Sequence, residues 1–333
     1  MTDEDNMSTS QEPMLFQQSE LALFEDAGIV PEEDERKYRS FLPSPFIAAS
    51  LPLRFVKSSK FTRKYNDMSL TLSSADYLPY GRYGRLLLTI LTTHAVLSKN
   101  SNQSGGVEVY YDKLSQLLEE MDLPRSRGDK VKDQLENFSK TSFLFEGRVS
   151  KVTQKSLFKD AYDEGEDLNG KVTVTQISTG NIRFMSGFQY IQLDDGENKK
   201  NVSFKIVLSD EFVKFSKEHA VPIDYSAYKE IGSDVGKDLY AWFIYRNNAI
   251  KEPLFIPRQL LIDQFMPVTD EAKKNNEKAN YAYIIDQIKL IKEKYYKELN
   301  VSISEDGTGI TLYKSPVPIM ADETRYVLIT SNL

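Results

Sequence analysis

The most regular hydrophobic pattern of the chain begins just after a turn-forming sequence, Tyr77–Gly84. Apolar side chains then recur at steps of three and four residues: Leu86, Leu87, Ile90, Leu91 and Val96. This spacing predicts an α-helix that buries a broad apolar face and ends near Lys99. The polar stretch 100–106 follows it as a loop.

The elements predicted after this helix follow a recognisable order. They are a strand at 107–111, a helix at 112–121, a turn at Leu123-Pro124, a helix at 126–139 and a strand at 142–153. Helix, strand, helix, turn, helix and strands is the order of a winged helix, a form of helix-turn-helix module.

The second half of the chain repeats this order. Its predicted elements are a helix at 235–247, a helix at 258–265, a long helix at 271–299, and strands at 301–304 and 308–313. Asp306-Gly307 between the two strands is a strong hairpin signal. The sequence therefore predicts an α+β protein with two tandem winged-helix domains, 41–208 and 209–333, and a disordered acidic tail, 1–40.

Charge is distributed unevenly along the chain. The formal net charge is −7, but residues 1–35 contain eleven acidic and no basic side chains, so the remainder carries 42 basic against 38 acidic ones. Cysteine is absent, no apolar run reaches the length of a membrane span, and the acidic N-terminus is unlike a signal peptide. We expect a cytoplasmic protein without a membrane segment, whose mildly basic body is compatible with nucleic acid.

The acidic tail contains a candidate partner-binding peptide, SELALFED. Leu21, Leu23 and Phe24 have the spacing of peptides that dock on the bacterial replicative sliding clamp, although Glu20 stands where such peptides usually have Gln. Short apolar motifs in flexible chains bind small grooves in this way. The alternatives are a segment that packs on its own domain and a chance match.

Residues 36–72 contain eight basic side chains against the single acid Asp67. Apparent strands at Leu51–Val56 and Met68–Leu72 predict a basic β-hairpin. The hairpin either lies along a phosphate backbone or is a solvated pair of strands that covers the first domain. The candidate DNA contacts in it are Arg54, Lys57, Lys60, Arg63 and Lys64.

The two predicted helix-turn-helix modules differ in the charge of their second helix. In the first module, three acids share the outward face with Lys132, and only Arg125 and Arg127 at the helix start suit DNA. This module is therefore expected to serve mainly in protein contact. In the long helix of the second module, the residues opposite the apolar face suit a DNA groove: Lys274, Asn275, Lys278, Ala282 and Lys289. The alternative is an ordinary solvated helix face.

Catalytic patterns are weak in this sequence. The only two histidines, His94 and His219, are far apart, and we expect His94 to be a packing or surface residue. Residues 165–172, GEDLNGKV, approach the phosphate loop GxxxxGK[ST], but Val172 replaces the hydroxyl that ligates Mg²⁺. No enzyme activity, cofactor or metal site is predicted.

Three sequence runs resemble the RepA-type plasmid replication initiators. They are LPLRFVKSSKFTRKYNDMSLTL from Leu51, YLPYGRYGRLLLTILTTHAV from Tyr77, and SFKIVLSDEFVKFSKEHAVPIDYSAYKEIGSDVGKDLYAWFIYRNNAIKEPL from Ser203. The resemblance extends over about two thirds of the chain, from Phe46 to Phe265. It does not include the tail or the long helix.

This resemblance implies a plasmid-associated initiator in the bacterial cytoplasm. It would bind repeated sites in double-stranded origin DNA, open the origin, recruit host replication proteins and repress its own promoter. In such proteins the N-terminal winged helix serves mainly in homodimer contacts. The main alternative is a transcriptional repressor or partition-type DNA-binding protein without initiator activity, and a third class is a protein-interaction scaffold.

Overall fold

The structure is a computed structural model that describes residues 39–65, 68–98, 106–151, 173–178, 180–193, 201–247, 250–267, 276–316 and 318. All of them fall within the compact unit Tyr38–Leu333. The predicted clamp-binding residues lie outside the described part, as do two predicted DNA contacts: Leu21, Leu23, Phe24, Lys274 and Asn275.

Helices and antiparallel strands alternate along the first half, residues 39–208. In chain order they are β1 (Arg39–Pro43), α1 (Ser44–Ala49), β2 (Lys60–Tyr65), β3 (Met68–Ser74), α2 (Gly81–Leu97), β4 (Val107–Tyr111), α3 (Leu114–Glu120), α4 (Gly128–Lys140), β5 (Thr141–Lys151), β6 (Thr173–Ser178), β7 (Ile182–Arg183), β8 (Met185–Leu193) and β9 (Asn201–Leu208). A short 3₁₀ turn, Arg125–Arg127, leads into α4.

The second half, residues 209–316, is richer in helix. Its elements are α5 (Asp210–His219), β10 (Ala220–Asp224), α6 (Tyr225–Glu230), α7 (Asp234–Asn247), β11 (Leu254–Pro257), α8 (Arg258–Phe265), α9 (Glu277–Leu290), β12 (Val301–Ile303) and β13 (Gly309–Leu312). The described part is therefore a mixed α+β structure, as predicted.

Helix α2 lies at the centre of the core. Leu86, Leu87 and Leu91 are fully buried, because β1, α4, α5 and α7 all pack against this helix. Burial of each leucine side chain contributes about 1.5–3 kcal/mol. The predicted apolar face is thus confirmed, and it is wider than the sequence pattern indicated, since Thr89 and Thr92 are also fully buried.

Two sheets of the first half organise its surface. One has the strand order β2–β3–β5–β6, with β7 also paired to β5, and the other has the order β4–β9–β8. In the second sheet, β4, the strand that follows α2, pairs with β9, the last strand of the β8–β9 hairpin. A small pair, β1–β10, joins the start of the described chain to the second half.

The second half contains a sheet with the corresponding order, β11–β13–β12. The strand that follows α7 pairs with the last strand of the β12–β13 hairpin, with Ile256 opposite Ile310. Helices α8 and α9 lie between these strands in sequence and pack on each other. Gly307 has a φ of +70° in the hairpin turn, a conformation that favours glycine.

Three predicted elements differ in the structure. Leu51–Val56 is not a strand, and the basic hairpin is instead β2–β3. The strand predicted at 142–153 is present as β5, but it pairs with β3 rather than with the sheet of β4. The predicted long helix is described from Glu277 and ends in a π-helical turn, Ile291–Tyr295.

Candidate nucleic-acid interface

Helix α9 buries the face that the sequence predicted as its inner side. Ile284, Ile288 and Ile291 are each at most 1% exposed. Their spacing of four and three residues keeps them on one side of the helix, where α7 and α8 pack against it. The opposite side of α9 consequently faces solvent.

The solvent face of α9 carries three predicted DNA contacts. Lys278, Ala282 and Lys289 are all exposed. Asp286 and Glu293 are exposed on the same helix and its π turn, so the face is of mixed charge rather than strongly basic. Lysine with small alanine suits close approach to a groove, whereas the carboxylates restrict where phosphates can lie.

The β12–β13 hairpin next to this helix has an acidic turn. Asp306 accepts hydrogen bonds from the backbone N and the Oγ1 of Thr308, at 3.0 and 2.7 Å. These bonds lower the pKa of the Asp306 carboxyl, so it is ionised at neutral pH. The tip of the hairpin therefore repels phosphates, whereas the face of α9 exposes lysines.

Arg258 is a candidate contact that the sequence analysis missed. Its guanidinium lies 5.0 Å from the centre of the Tyr281 ring, within the range of a cation–π interaction. The Tyr281 hydroxyl donates to the Gly309 carbonyl at 3.1 Å, and the Arg258 backbone N donates to Thr308 at 2.8 Å. The start of α8, helix α9 and the hairpin are thus fastened together around a partly exposed cation. The sequence signal that could have identified Arg258 is Pro257, which marks the start of α8 and so places Arg258 at the first position of that helix.

The β2–β3 hairpin presents a second basic surface. Lys60 and Lys64 alternate with inward residues along β2 and are exposed, as are Arg54 and Lys57 in the preceding segment. Apart from β3, no strand among the described residues pairs with β2, so it forms an edge of its sheet. Lysines at such an edge are available to phosphates and also discourage pairing with another strand.

Arg63, the remaining predicted contact in this hairpin, is buried. Its Nη2 donates to the Gln264 carbonyl at the end of α8, at 2.7 Å. Burial lowers the pKa of Arg63 to about 10, although the charge of Asp238 opposes this shift. Arg63 therefore faces the interior, because in a strand it shares the side of Phe61 rather than that of Lys60 and Lys64. It joins the hairpin to the second half and is not on the DNA-accessible surface.

The start of α4 exposes the other two predicted arginines. Arg125 and Arg127 are exposed in the 3₁₀ turn, whereas Lys132 is half-buried with its Nζ 4.3 Å from the centre of the Tyr190 ring. Asp129 and Asp133 are exposed on α4. The surface of this helix thus combines a basic start with an acidic middle.

A buried ion pair between Arg85 of α2 and Asp238 of α7 holds these surfaces in place. Arg85 Nη2 and Asp238 Oδ2 are 2.7 Å apart, and Nε donates to Oδ1 at 2.8 Å. Nη2 and Nη1 also donate to the carbonyls of Leu51 and Pro52. Burial alone would lower the pKa of Arg85, but attraction and hydrogen bonds from Asp238 outweigh it and raise that pKa.

A second buried polar cluster surrounds His94. The Tyr111 hydroxyl donates to Glu120 Oε2 at 2.7 Å and lies 3.4 Å from His94 Nε2. Burial raises the pKa of Glu120 to about 7, against the opposing effect of the Tyr111 hydrogen bond, and lowers the pKa of His94 to about 4. His94 is thus a core residue. No group of metal-ligating side chains occurs among the described residues.

None of the helices in the described part has the length and apolar character needed to cross a membrane. No protein-family model matches the sequence, and no curated protein matches it.

Two solved structures of RctB domains are similar to this chain. One, a selenomethionine derivative of domains 2 and 3, has a TM-score of 0.46 and 14% identity, covering 81% of this chain and 96% of that one. The other, RctB domains 2–3, has a TM-score of 0.43 and 13% identity, covering 80% and 94%. Similarity at this level carries no conclusion about function.

Proposed function

We propose that this protein is a DNA-binding replication initiator of the RepA type, encoded by a plasmid and acting in the bacterial cytoplasm. It binds repeated sites in duplex origin DNA, promotes opening of the origin, recruits host replication proteins and represses its own promoter. The observation that carries the proposal is the solvent face of α9, where Lys278, Ala282 and Lys289 are exposed opposite the buried isoleucines. This role needs no catalytic chemistry, metal or cofactor.

Strand order supports the assignment of two winged helices. In each half, a strand that follows a helix pairs with the last strand of a later hairpin, giving the orders β4–β9–β8 and β11–β13–β12. Two helices lie between these strands in sequence, and the second of them is the one that enters the DNA groove in helix-turn-helix modules. In the second half that helix is α9.

The first module is proposed to serve in homodimer contact. Asp129 and Asp133 on the exposed side of its second helix would repel a DNA backbone. Arg125 and Arg127 at the start of that helix add at most weak contacts to phosphate.

The α9 surface can be tested with a double substitution, Lys278→Ala with Lys289→Ala. If both lysines contact phosphates, the slope of log affinity against log salt should fall by about 1.8 for duplex repeats, and affinity should weaken for all sequences. Lys251→Ala, an exposed lysine in the loop after α7, is the matched control and should leave the slope unchanged. An unchanged slope in the double variant would show that α9 does not contact the DNA backbone.

Origin opening distinguishes an initiator from a repressor or partition protein. Supercoiled DNA that carries the repeats should become reactive to permanganate in an adjacent AT-rich stretch when the wild-type protein is added. Binding without this reactivity would favour the repressor or partition function. Absence of salt-dependent DNA binding would favour a protein-interaction scaffold.

A further inference from the structure

Two large aromatic side chains lie together on the surface beside the basic hairpin. Phe55 is 49% exposed and Tyr77 is 48% exposed, with ring centroids 5.1 Å apart. A third ring, Tyr80, packs edge-on against Phe55 at 5.7 Å. Aromatic rings contribute large apolar areas that proteins usually bury, so a paired exposure of this kind indicates a contact surface.

The segment that presents Phe55 is held firmly at both ends. At its start, the Leu51 and Pro52 carbonyls accept hydrogen bonds from Arg85, and Pro52 also accepts one from the Gly81 backbone N at 2.9 Å. At its end, the Ser59 carbonyl accepts from the Ser74 backbone N at 2.8 Å. Two of these bonds come from chain that flanks Tyr77, so the two rings are placed by the same framework.

The charged side chains that flank Phe55 in sequence are all basic. Arg54, Lys57 and Lys60 are exposed, and the sequence between Ser50 and Tyr65 contains no acidic residue. Beside Tyr77, the Asp76 carboxylate is paired with Lys140 Nζ at 3.0 Å. A polyanion with flat apolar groups would therefore find both attraction and contact area on this surface.

We infer that this surface, Arg54–Phe55–Lys57–Lys60–Tyr77, binds single-stranded DNA, with unpaired bases stacked on Phe55 and Tyr77 and phosphates held by the three cations. Stacking on aromatic side chains beside a basic track is how proteins hold unpaired strands without reading their sequence. Duplex DNA does not offer its base faces, so it would leave the rings unused. The inference rests on the proposed function and deepens it, since an initiator that opens an origin produces unpaired strands.

The first test removes the ring faces but keeps apolar bulk. Phe55→Leu with Tyr77→Leu should weaken binding of a 20-nucleotide oligothymidylate by about 10- to 100-fold, since each lost base stack carries a substantial share of affinity. Binding to duplex repeats should be unchanged. Phe255→Leu alters another phenylalanine that is 49% exposed, on β11, and should change neither affinity.

The outcomes separate the two proposals. Unchanged oligothymidylate binding in the double variant, or no binding by the wild type, overturns the single-strand site. If the wild-type protein binds oligothymidylate but not the duplex repeats, the proposed function alone is overturned, because the oligothymidylate measurement does not depend on the repeats.

A spectroscopic test reports stacking directly. Trp242 is the only tryptophan in the sequence and is 1% exposed. Phe55→Trp therefore adds a single solvent-exposed reporter whose emission is quenched when a base stacks on it. Oligothymidylate should quench this added emission in proportion to binding, whereas blunt duplex DNA should not. Binding without quenching overturns the stacking geometry.

The cations can be tested through salt dependence. Arg54→Gln with Lys57→Gln should reduce the salt slope for oligothymidylate by about 1.4, the value for two phosphate contacts on a single strand. A slope equal to that of the wild type would show that these side chains do not hold the strand.

Discussion

Replacing Asp238 by asparagine would leave the guanidinium of Arg85 buried and charged without its carboxylate partner. Arg85 is 2% exposed, and its other hydrogen-bond acceptors are neutral: the carbonyls of Leu51, Pro52 and Gly81, and the hydroxyl of Ser50. No other described acid forms a salt bridge with it. The substitution therefore removes, within the described part of the chain, the carboxylate in direct contact with a cation that is 2% exposed.

The size of the effect follows from the burial of both groups. Breaking a buried ion pair by removing one partner typically costs about 3–5 kcal/mol. Because asparagine keeps one oxygen that can accept from Arg85, we expect the lower part of this range, about 3 kcal/mol. For a unit of this size, that loss corresponds to a fall in melting temperature of roughly 5 °C.

Urea unfolding followed by far-UV circular dichroism and by the fluorescence of buried Trp242 would measure this loss. Asp286→Asn changes an exposed carboxylate on α9 and should shift stability by less than about 0.5 kcal/mol. A double substitution, Arg85→Met with Asp238→Leu, should recover most of the stability, because apolar replacement of a buried pair is often neutral.

The reasoning would be refuted if Asp238→Asn and Asp286→Asn shifted the urea midpoint equally. That result would mean that water already reaches the Arg85 guanidinium in the folded protein, or that the pair contributes little to stability. In either case the pair would not hold α2 to α7.

Three further predictions concern titration and the acidic tail. Glu120 binds its proton up to about pH 7 in the folded state, against an ordinary pKa of 4.5, so its contribution lowers stability as pH rises between these values. His94 has a pKa of about 4 in the folded state against 6.5 ordinarily, so its contribution raises stability as pH rises between these values. In urea titrations, Glu120→Gln should therefore make stability rise by about 1–3 kcal/mol from pH 4 to 6.5, and His94→Gln should make it fall over the same range. Parallel curves for the two variants would contradict both assignments. Deleting residues 1–35 removes eleven carboxylates and should raise duplex affinity roughly tenfold at low salt but not at high salt; equal affinity at low salt would show that the tail does not compete with DNA. Leu23→Ala with Phe24→Ala should abolish capture of the protein by immobilised sliding clamp while origin binding persists, and a wild-type protein that the clamp fails to capture would end the tail hypothesis.

Helices of the second half were largely predictable from local sequence. Pro257 marks the start of α8 and Ile284 and Ile288 mark the inner side of α9, because helix periodicity and helix-start signals are local properties. The solvent face of α9 followed from the same periodicity, as its exposed lysines confirm.

Arg63 differs from the neighbouring cations through a local property, the alternation of side chains along β2. The basic composition of residues 36–72 does not distinguish one cation from another. Side chains along β2 alternate between its two faces, however, and Arg63 lies two residues after Phe61 on the inward face. The period of two would have separated Arg63 from Lys60 and Lys64. Likewise, Leu51–Val56 alternates in sequence but cannot join a sheet, since its first carbonyls bind Arg85.

Long-range pairing was beyond sequence reasoning. Arg85 and Asp238 are 153 residues apart, and each looks like an ordinary polar residue of an amphipathic helix. Only packing of α2 against α7 turns them into a buried pair. The pairing of β5 with β3 rather than with the sheet of β4 is likewise a tertiary outcome.

The bond from Arg63 to Gln264 has a mechanical consequence, because Gln264 Nε2 in turn donates to the Ala48 carbonyl at 3.4 Å. The edge strand with Lys60 and the helix next to α9 are thereby joined through the buried side chain of Arg63. A duplex that contacted both surfaces would have to present its two contact sites at one particular separation. One base pair inserted between the two contact sites displaces the far site by about 3.4 Å and turns it by about 34°, and the bonds through Arg63 and Gln264 oppose a movement that would follow it.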